Sequence, residues 1–260
     1  MPGRIRIEKD GGIGWLVFDH PERRNAVSVD MWRALPPAVD ELAADDSVRV
    51  VVMRGEGEQA FVSGADISEF EQHRTGGATA GYEQDNARAF LALAQLSKPV
   101  IAMIHGYCVG GGVAVSLTAD LRYAADDAVF AIPAARLGVG YAMGGLESLA
   151  NLVGLSAAKE IFFTARRFDP DEALQMGLVN AVRPKAELEG FVRRTAARIA
   201  ENAPLTVRSV KRIVGELSKE PSARDHDAVA ESIRRCMESE DYREGMRAFL
   251  EKRAPNFRGR

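Results

Sequence analysis

The chain has 260 residues, with 34 Lys and Arg against 37 Asp and Glu and a net charge of −3. That balance supplies no basic face for nucleic acid. A hydrophobic content of 46% can fill a real core, and no run of about 18 apolar residues predicts a membrane span.

Two cysteines, Cys108 and Cys236, stand far apart and outside any CxxC pattern. A disulfide framework is not expected, and a reduced, cytoplasmic protein is. The four histidines (His20, His73, His105, His226) are scattered, so no metal site is expected. The opening MPGRIRIEKDGG lacks the apolar core of a signal peptide.

In chain order, Arg4 to Glu8 alternates, Gly11-Gly12 follows, and Trp15 to Phe18 is apolar, which predicts a β-hairpin. Asp19 to Ala26 is a polar loop. Ser28 is placed to cap a helix over 29–43, which Pro36-Pro37 should interrupt or kink. VRVVVM, Val48 to Met53, is a run of buried-strand type. A loop over 54–64 and the short segment ADISEF come next. The stretch 71–81, rich in Gly, Thr and Ala, reads as mobile, and Tyr82 to Leu96 has helical period. Pro99 to Ile104 is a second buried strand, followed by the glycine loop CVGGGVAVSLTAD. Leu121 to Ala124 and Ala128 to Ile132 read as short strands. From Met143 the pattern is mainly helical, with turn signals at Gly154, Asp169-Pro170 and Gly177 and one last strand over 178–182. Residues 185–252 read as amphipathic helices broken near Ala203-Pro204 and Glu220-Pro221. Strands alternate with helices to about residue 183 and helices alone follow, an α/β core with a helical C-terminal region.

The triplet Gly110, Gly111, Gly112 poses the chemical question. Its spacing does not fit GxGxxG, and no GK[ST] follows, so nucleotide fingerprints are set aside. Two readings remain. The glycines let a strand turn tightly into a helix, or they let a ligand oxygen reach backbone N–H groups that lack partners. An oxyanion site needs a second donor. The loop Ala60 to Ile67 is the candidate, since it follows VRVVVM as the glycine loop follows PVIAMI.

AFVSGADISEF, KPVIAMIHGYCVGGGVAVSLTADLRYA, FAIPAARLGVG and FFTARRFDPDEALQMGLVNAV resemble, in order and spacing, the enoyl-CoA hydratase/isomerase (crotonase) superfamily. The likeness runs over essentially the whole chain. It implies an α/β spiral of ββα units over 1–195 that carries the CoA and oxyanion site. It implies a C-terminal helical region over 196–260 for oligomerisation and closure of the CoA site, in a homotrimer or dimer of trimers. No separate cofactor is implied, because CoA arrives as part of the acyl-CoA thioester. The implied oxyanion donors are the backbone N–H groups of Ala65 and Gly111, with Gly110 beside them. Arg24 and Ala26 are implied in the loop that embraces CoA, and Asp66 and Ile67 in the same groove. In FLEKRAPNF, Phe249 and Lys252 are implied to contact the adenine end of CoA, in the same or a neighbouring subunit.

The two glutamates of the family's hydratases fall here on Ala114 and Ala134. Alanine can neither activate water nor move a proton, so hydration by the paired-glutamate route is not expected. Tyr141, in LGVGYAMGG, is either a packing tyrosine or a group facing a reacting carboxylate. The second role is implied by a resemblance of LGVGY and of the tail SEDYREGMRAFLEKRAPNF to methylmalonyl-CoA decarboxylase-like members. Those members carry histidine at the position of Ala65 and glutamate at Ala114, which this chain lacks. Those two departures count against decarboxylation, but the reaction suits a pocket without the two glutamates, and decarboxylation of a malonyl-type thioester is the favoured expectation. Isomerisation using Glu147, a degenerate hydratase, and a non-catalytic acyl-CoA-binding pseudoenzyme stay open. His105 and Cys108 are expected to be structural, Asp66 a cap and loop anchor, and the run Arg193 to Arg198 a solvated face.

Overall fold

The computed structural model describes residues 2–69 and 79–260. The elements are β1 (Arg4–Asp10), β2 (Ile13–Asp19), α1 (Val29–Ala44), β3 (Val50–Gly55), β4 (Ala60–Val62), α2 (Thr79–Gln95), β5 (Val100–Ile104) and β6 (Tyr107–Val109). There follow α3 (Gly111–Leu117), β7 (Leu121–Ala125), β8 (Val129–Ala131), α4 (Ala134–Leu137), α5 (Met143–Thr164), α6 (Pro170–Gln175) and β9 (Ala181–Arg183). Four helices close the chain: α7 (Lys185–Ala200), α8 (Pro204–Leu217), α9 (His226–Glu238) and α10 (Glu240–Glu251).

The expected hairpin pairs β1 with β2 antiparallel, and β2 then starts a parallel sheet of order β1-β2-β3-β5-β7-β9. A second, three-stranded parallel sheet has the order β4-β6-β8. The chain alternates between them: β3 to β4 to α2, β5 to β6 to α3, β7 to β8 to α4. Each pass is one turn of a ββα spiral. The continuous apolar runs of β3 and β5 follow from burial of both faces. One face meets the main core with Val51, Met53, Ala102 and Ile104. The other, with Val50, Val52, Ile101 and Met103, is covered by Leu188, Val192 and Ala196 of α7. Each such fully buried aliphatic contributes about 1.5–3 kcal/mol.

α1 starts as expected: the Ser28 hydroxyl accepts from the Met31 amide at 3.3 Å. It does not break at Pro36-Pro37, which lie inside one continuous helix. Burial of Met31, Trp32, Leu35, Val39 and Leu42 holds the helix through the lost donors. Its C-terminus is closed by Lys98, a buried cation whose Nζ donates to the carbonyls of Leu42 and Asp45 at 2.7 and 2.6 Å.

Other expectations shift in detail. The loop expected over 54–64 contains β4, and the glycine loop is preceded by β6. Three-residue strands carry too little alternation to be read. The stretch 71–81 expected to be mobile falls, up to residue 78, outside the described residues. α5 passes through Gly154, whose φ of 80° and ψ of 160° kink it. An unexpected break at Ser239 separates α9 from α10, and the Ser239 side chain caps α10 by accepting from the Tyr242 amide. No described helix is long and apolar enough to cross a membrane.

Candidate active site

β4 and β6 are parallel neighbours, so the segments leaving their C-terminal ends emerge side by side. Ser63-Gly64-Ala65-Asp66 leaves β4, and Gly110-Gly111-Gly112 leaves β6. Each glycine of the triplet has its own reason. Gly110 takes φ 54°, ψ −111°, a conformation for glycine. A Cβ on Gly112 would stand 2.0 Å from the Val62 carbonyl oxygen, so the backbone of α3 packs directly on β4. A Cβ on Gly111 would stand 3.5 Å from the Ala65 amide nitrogen, so these two residues face one another. Among the described residues, neither the Ala65 nor the Gly111 N–H donates to a protein acceptor. Around them, Asp66 N–H donates to Val27 O at 3.0 Å, Gly110 N–H to Ala131 O at 2.8 Å and Ala114 N–H to Gly110 O at 3.1 Å. Two facing amides without a protein acceptor are what an oxyanion needs.

The loop 20–26 is stitched to this pair. Val27 bridges to Ala65, Val27 N–H donates to Gly64 O at 2.8 Å, and Ser63 N–H donates to Arg24 O at 3.2 Å. Arg24 and Asn25 both have positive φ, 51° and 56°. Asn25 is buried and holds the loop. Its Nδ2 donates to Glu56 O at 3.0 Å and Ala60 O at 2.7 Å, and its Oδ1 accepts from His20 N–H at 3.0 Å. Sequence reading passed Asn25 over, although an Asn tolerates the left-handed region better than most residues. The Arg24 guanidinium lies 4.8 Å from the Tyr107 ring centre, and that of Arg167 5.9 Å from the same ring.

The structure therefore gathers Arg24, Ala26, Ala65, Asp66, Ile67, Gly110 and Gly111. Ala26 is buried in the loop, whereas the Ile67 side chain is exposed. Asp66 anchors its turn: Oδ1 accepts from the Ser68 amide at 3.0 Å and hydroxyl at 2.7 Å. Burial pushes the Asp66 carboxyl up, but the Ser68 bonds together with the charges of Arg23 and His20 hold it below its ordinary value. Glu69 ties the same segment to α1 by accepting from Val29 N–H at 2.8 Å.

Phe249 and Lys252 are not brought to this place within one chain. Phe249, 83% exposed, lines a groove with Cys236, Met237, Tyr242, Met246 and Phe257, and none of its lining residues belongs to the Ala65 or Gly111 loops. Lys252 closes α10 with φ 55°.

Ala114 is half-buried in α3 and Ala134 buried at the start of α4. Tyr141 is partly buried and packs against the main core. Its ring meets Phe162 edge-on at 4.8 Å and lies over Gly145 in the first turn of α5. Glu147 is exposed on α5. Cys108 is fully buried with its thiol pushed up by burial, and His105 is buried with its pKa pushed down by burial. Both have the structural surroundings expected of them. Among the described residues no group of His, Cys, Asp and Glu is arranged to hold a metal.

A ββα spiral with two amide-bearing loops at adjacent strand ends is the crotonase fold. The enoyl-CoA hydratase/isomerase family model matches residues 8–260. The short-chain-enoyl-CoA hydratase of Clostridium acetobutylicum is 34% identical over 250 residues, covering 96% of this chain and 95% of that protein. The peroxisomal Delta(3,5)-Delta(2,4)-dienoyl-CoA isomerase of Arabidopsis thaliana is 33% identical over 265 residues, with 97% and 95% covered. The crystal structure of an enoyl-CoA hydratase/carnithine racemase from Magnetospirillum magneticum superposes with a TM-score of 0.94 at 34% identity, covering 98% of this chain and 96% of that one. The chain belongs to the enoyl-CoA hydratase/isomerase family.

Proposed function

We propose that the protein binds an acyl-CoA thioester with its carbonyl oxygen between the N–H groups of Ala65 and Gly111 and stabilises the enolate formed there. The observation that carries this reading is the facing of the two residues, with neither amide engaged by a described acceptor. A preorganised donor of this kind lowers a barrier by about 3–4 kcal/mol.

The reaction follows from what surrounds the pair. With alanine at 114 and 134, neither of these positions can deliver water. Loss of carbon dioxide from a malonyl-type thioester needs none. The bond to the carboxylate breaks, its electron pair enters the thioester enolate, and the enolate takes a proton from water. The Tyr141 hydroxyl orients the departing carboxylate. A second reading is hydration or double-bond isomerisation, favoured by the names of the two relatives above. It needs a proton carrier, and Glu147 is the nearest acid in sequence to Tyr141.

The C-terminal helices support assembly into a homotrimer or dimer of trimers. Val210, Val214 and Leu217 of α8 are each more than half exposed, beside the groove of about 520 Å³ that Phe249 lines. Apolar surface of this extent fits another copy of the chain.

The test is a panel of crotonyl-, 3-enoyl- and methylmalonyl-CoA incubated with the protein in heavy water and followed by mass spectrometry. Loss of carbon dioxide from methylmalonyl-CoA is expected. Gain of water, or deuterium uptake with a shifted double bond, would replace decarboxylation by the second reading. No change in any thioester that demonstrably binds would reduce the protein to an acyl-CoA binder.

A further inference from the structure

Arg122 stands on β7, 4% exposed, on the face of the large sheet turned toward α3. A buried guanidinium is expected to meet a carboxylate, since leaving a charge unpaired away from water is costly. This one meets carbonyls. Its Nε donates to Leu178 O at 2.8 Å, and one terminal nitrogen donates to Ala119 O at 2.6 Å and Ser116 O at 3.4 Å. Ser116 lies in the last turn of α3 and Ala119 just beyond it. Leu178 belongs to the segment after α6, which is itself locked to β7. Asn180 Oδ1 accepts from Arg122 N–H and Asn180 N–H donates to Arg122 O, both at 2.8 Å.

α3 has seven residues, about 10 Å of helix axis. A helix so short is not stable by itself. Its start carries Gly111 and is fixed by contact of Gly112 with Val62 O. Its end is held by Arg122. The two fixings span the element that aims the Gly111 amide at the position shared with Ala65. A planar fork reaching three carbonyls on two segments is a task for arginine that a lysine ammonium does not reproduce.

We propose that Arg122 is a positioning residue for the oxyanion site, which it never touches, by holding the far end of α3 so that the Gly111 amide keeps its aim. The proposal rests on the oxyanion reading of Ala65 and Gly111. It predicts a division that a merely structural arginine would not produce. Loosening α3 is expected to degrade the polarisation of a bound carbonyl far more than binding, because the residues assigned to CoA, Arg24, Ala26, Asp66 and Ile67, stand on other segments.

The test uses butyryl-CoA carrying carbon-13 at the thioester carbonyl and reads the carbonyl stretch by difference infrared spectroscopy, with the dissociation constant measured on the same samples. In the native protein the band is expected to move to lower frequency on binding. Arg122→Met is expected to lose most of that shift with affinity changed by only about threefold, and Arg122→Lys to be intermediate. On the thioester that the panel shows to be turned over, a misaimed donor is expected to reduce kcat by roughly 10- to 100-fold with KM little changed. Circular dichroism checks that each variant is folded, and Arg122→Lys carries the test should Arg122→Met not fold. A full shift in both folded variants would overturn the role of Arg122 alone, as would affinity falling in step with the shift. No shift in the native protein would remove the oxyanion reading, and this proposal with it.

Discussion

Gly111 faces Ala65 so closely that a methyl group on the glycine would lie 3.5 Å from the alanine's amide nitrogen. An acceptor oxygen bound to that amide has to sit about 2.9 Å from the same atom. Gly111→Ala is therefore expected to fold, since alanine is favoured in a helix by roughly 0.5–1 kcal/mol, while blocking the ligand. Turnover is expected to drop by about 10²–10³. Gly112→Ala is the contrast. Its Cβ would overlap the Val62 carbonyl oxygen at 2.0 Å, so the backbone has to move and stability falls. Steady-state rates and thermal unfolding of the two variants separate the effects. Equal stability losses would contradict the assignment.

Ala114 and Ala134 can be given back their acids. The double variant Ala114→Glu, Ala134→Glu is expected to gain hydration of crotonyl-CoA over the native chain by about 10²–10⁴, the usual worth of acid–base groups. Loss of the conjugated enoyl absorbance follows the reaction. A native chain that already hydrates at the variant's rate would show that water activation uses another group.

Tyr141→Phe removes a hydroxyl and keeps the edge-on contact with Phe162. The variant is expected to remain folded and to lose decarboxylation with binding retained. An unchanged rate would leave Tyr141 as packing.

His105 gives the fold a pH dependence of known sign. It is buried, its Nε2 has no hydrogen-bond partner among the described residues, and burial, reinforced by Lys185 and Arg54 and opposed by Asp127 and a hydrogen bond to the Gly57 backbone, holds its pKa below 6.5. Above pH 6.5 both folded and unfolded chains keep it neutral. As pH falls below that value the unfolded chain takes up a proton that the folded chain resists, so stability declines until the folded pKa is passed. The urea midpoint is expected to fall between about pH 7.5 and 5.5 more steeply in the native protein than in His105→Gln. Parallel slopes would show that other groups set the dependence.

Phe249 is 83% exposed in the α10 groove. Phe249→Asp is expected to shift the assembly toward monomer in sedimentation without unfolding the chain. A native protein that sediments as a monomer would overturn the proposed assembly.

Much of this was legible in the sequence, for physical reasons. The strands β3 and β5 are buried on both faces and read as unbroken apolar runs. Ser28 announces a helix start, and the turn signal at Asp169-Pro170 coincides with another, where Asp169 and Glu172 form a complete capping box. The glycine triplet marked close backbone approach, and it is there. The three-stranded sheet was not legible, because β4 and β6 are three residues each and β6 is flanked by glycines. Asn25 and Arg122 were missed for another reason. Their work is done through side-chain hydrogen bonds to segments up to 56 residues away, such as that from the Arg122 guanidinium to Leu178 O, and no local pattern records such a partner.

The two donors belong to successive turns of one spiral, on neighbouring parallel strands. Strand spacing and α3 packing therefore fix their separation, and every residue type except proline supplies the amide. Substitution can strip acids, bases and pocket walls from around such a pair without deleting it. A lineage can thus lack both glutamates and still inherit the facing amide pair that we propose polarises a thioester carbonyl. Drift in a few flanking positions is then enough to change which bond breaks, while the costly part of the catalyst passes on in the backbone.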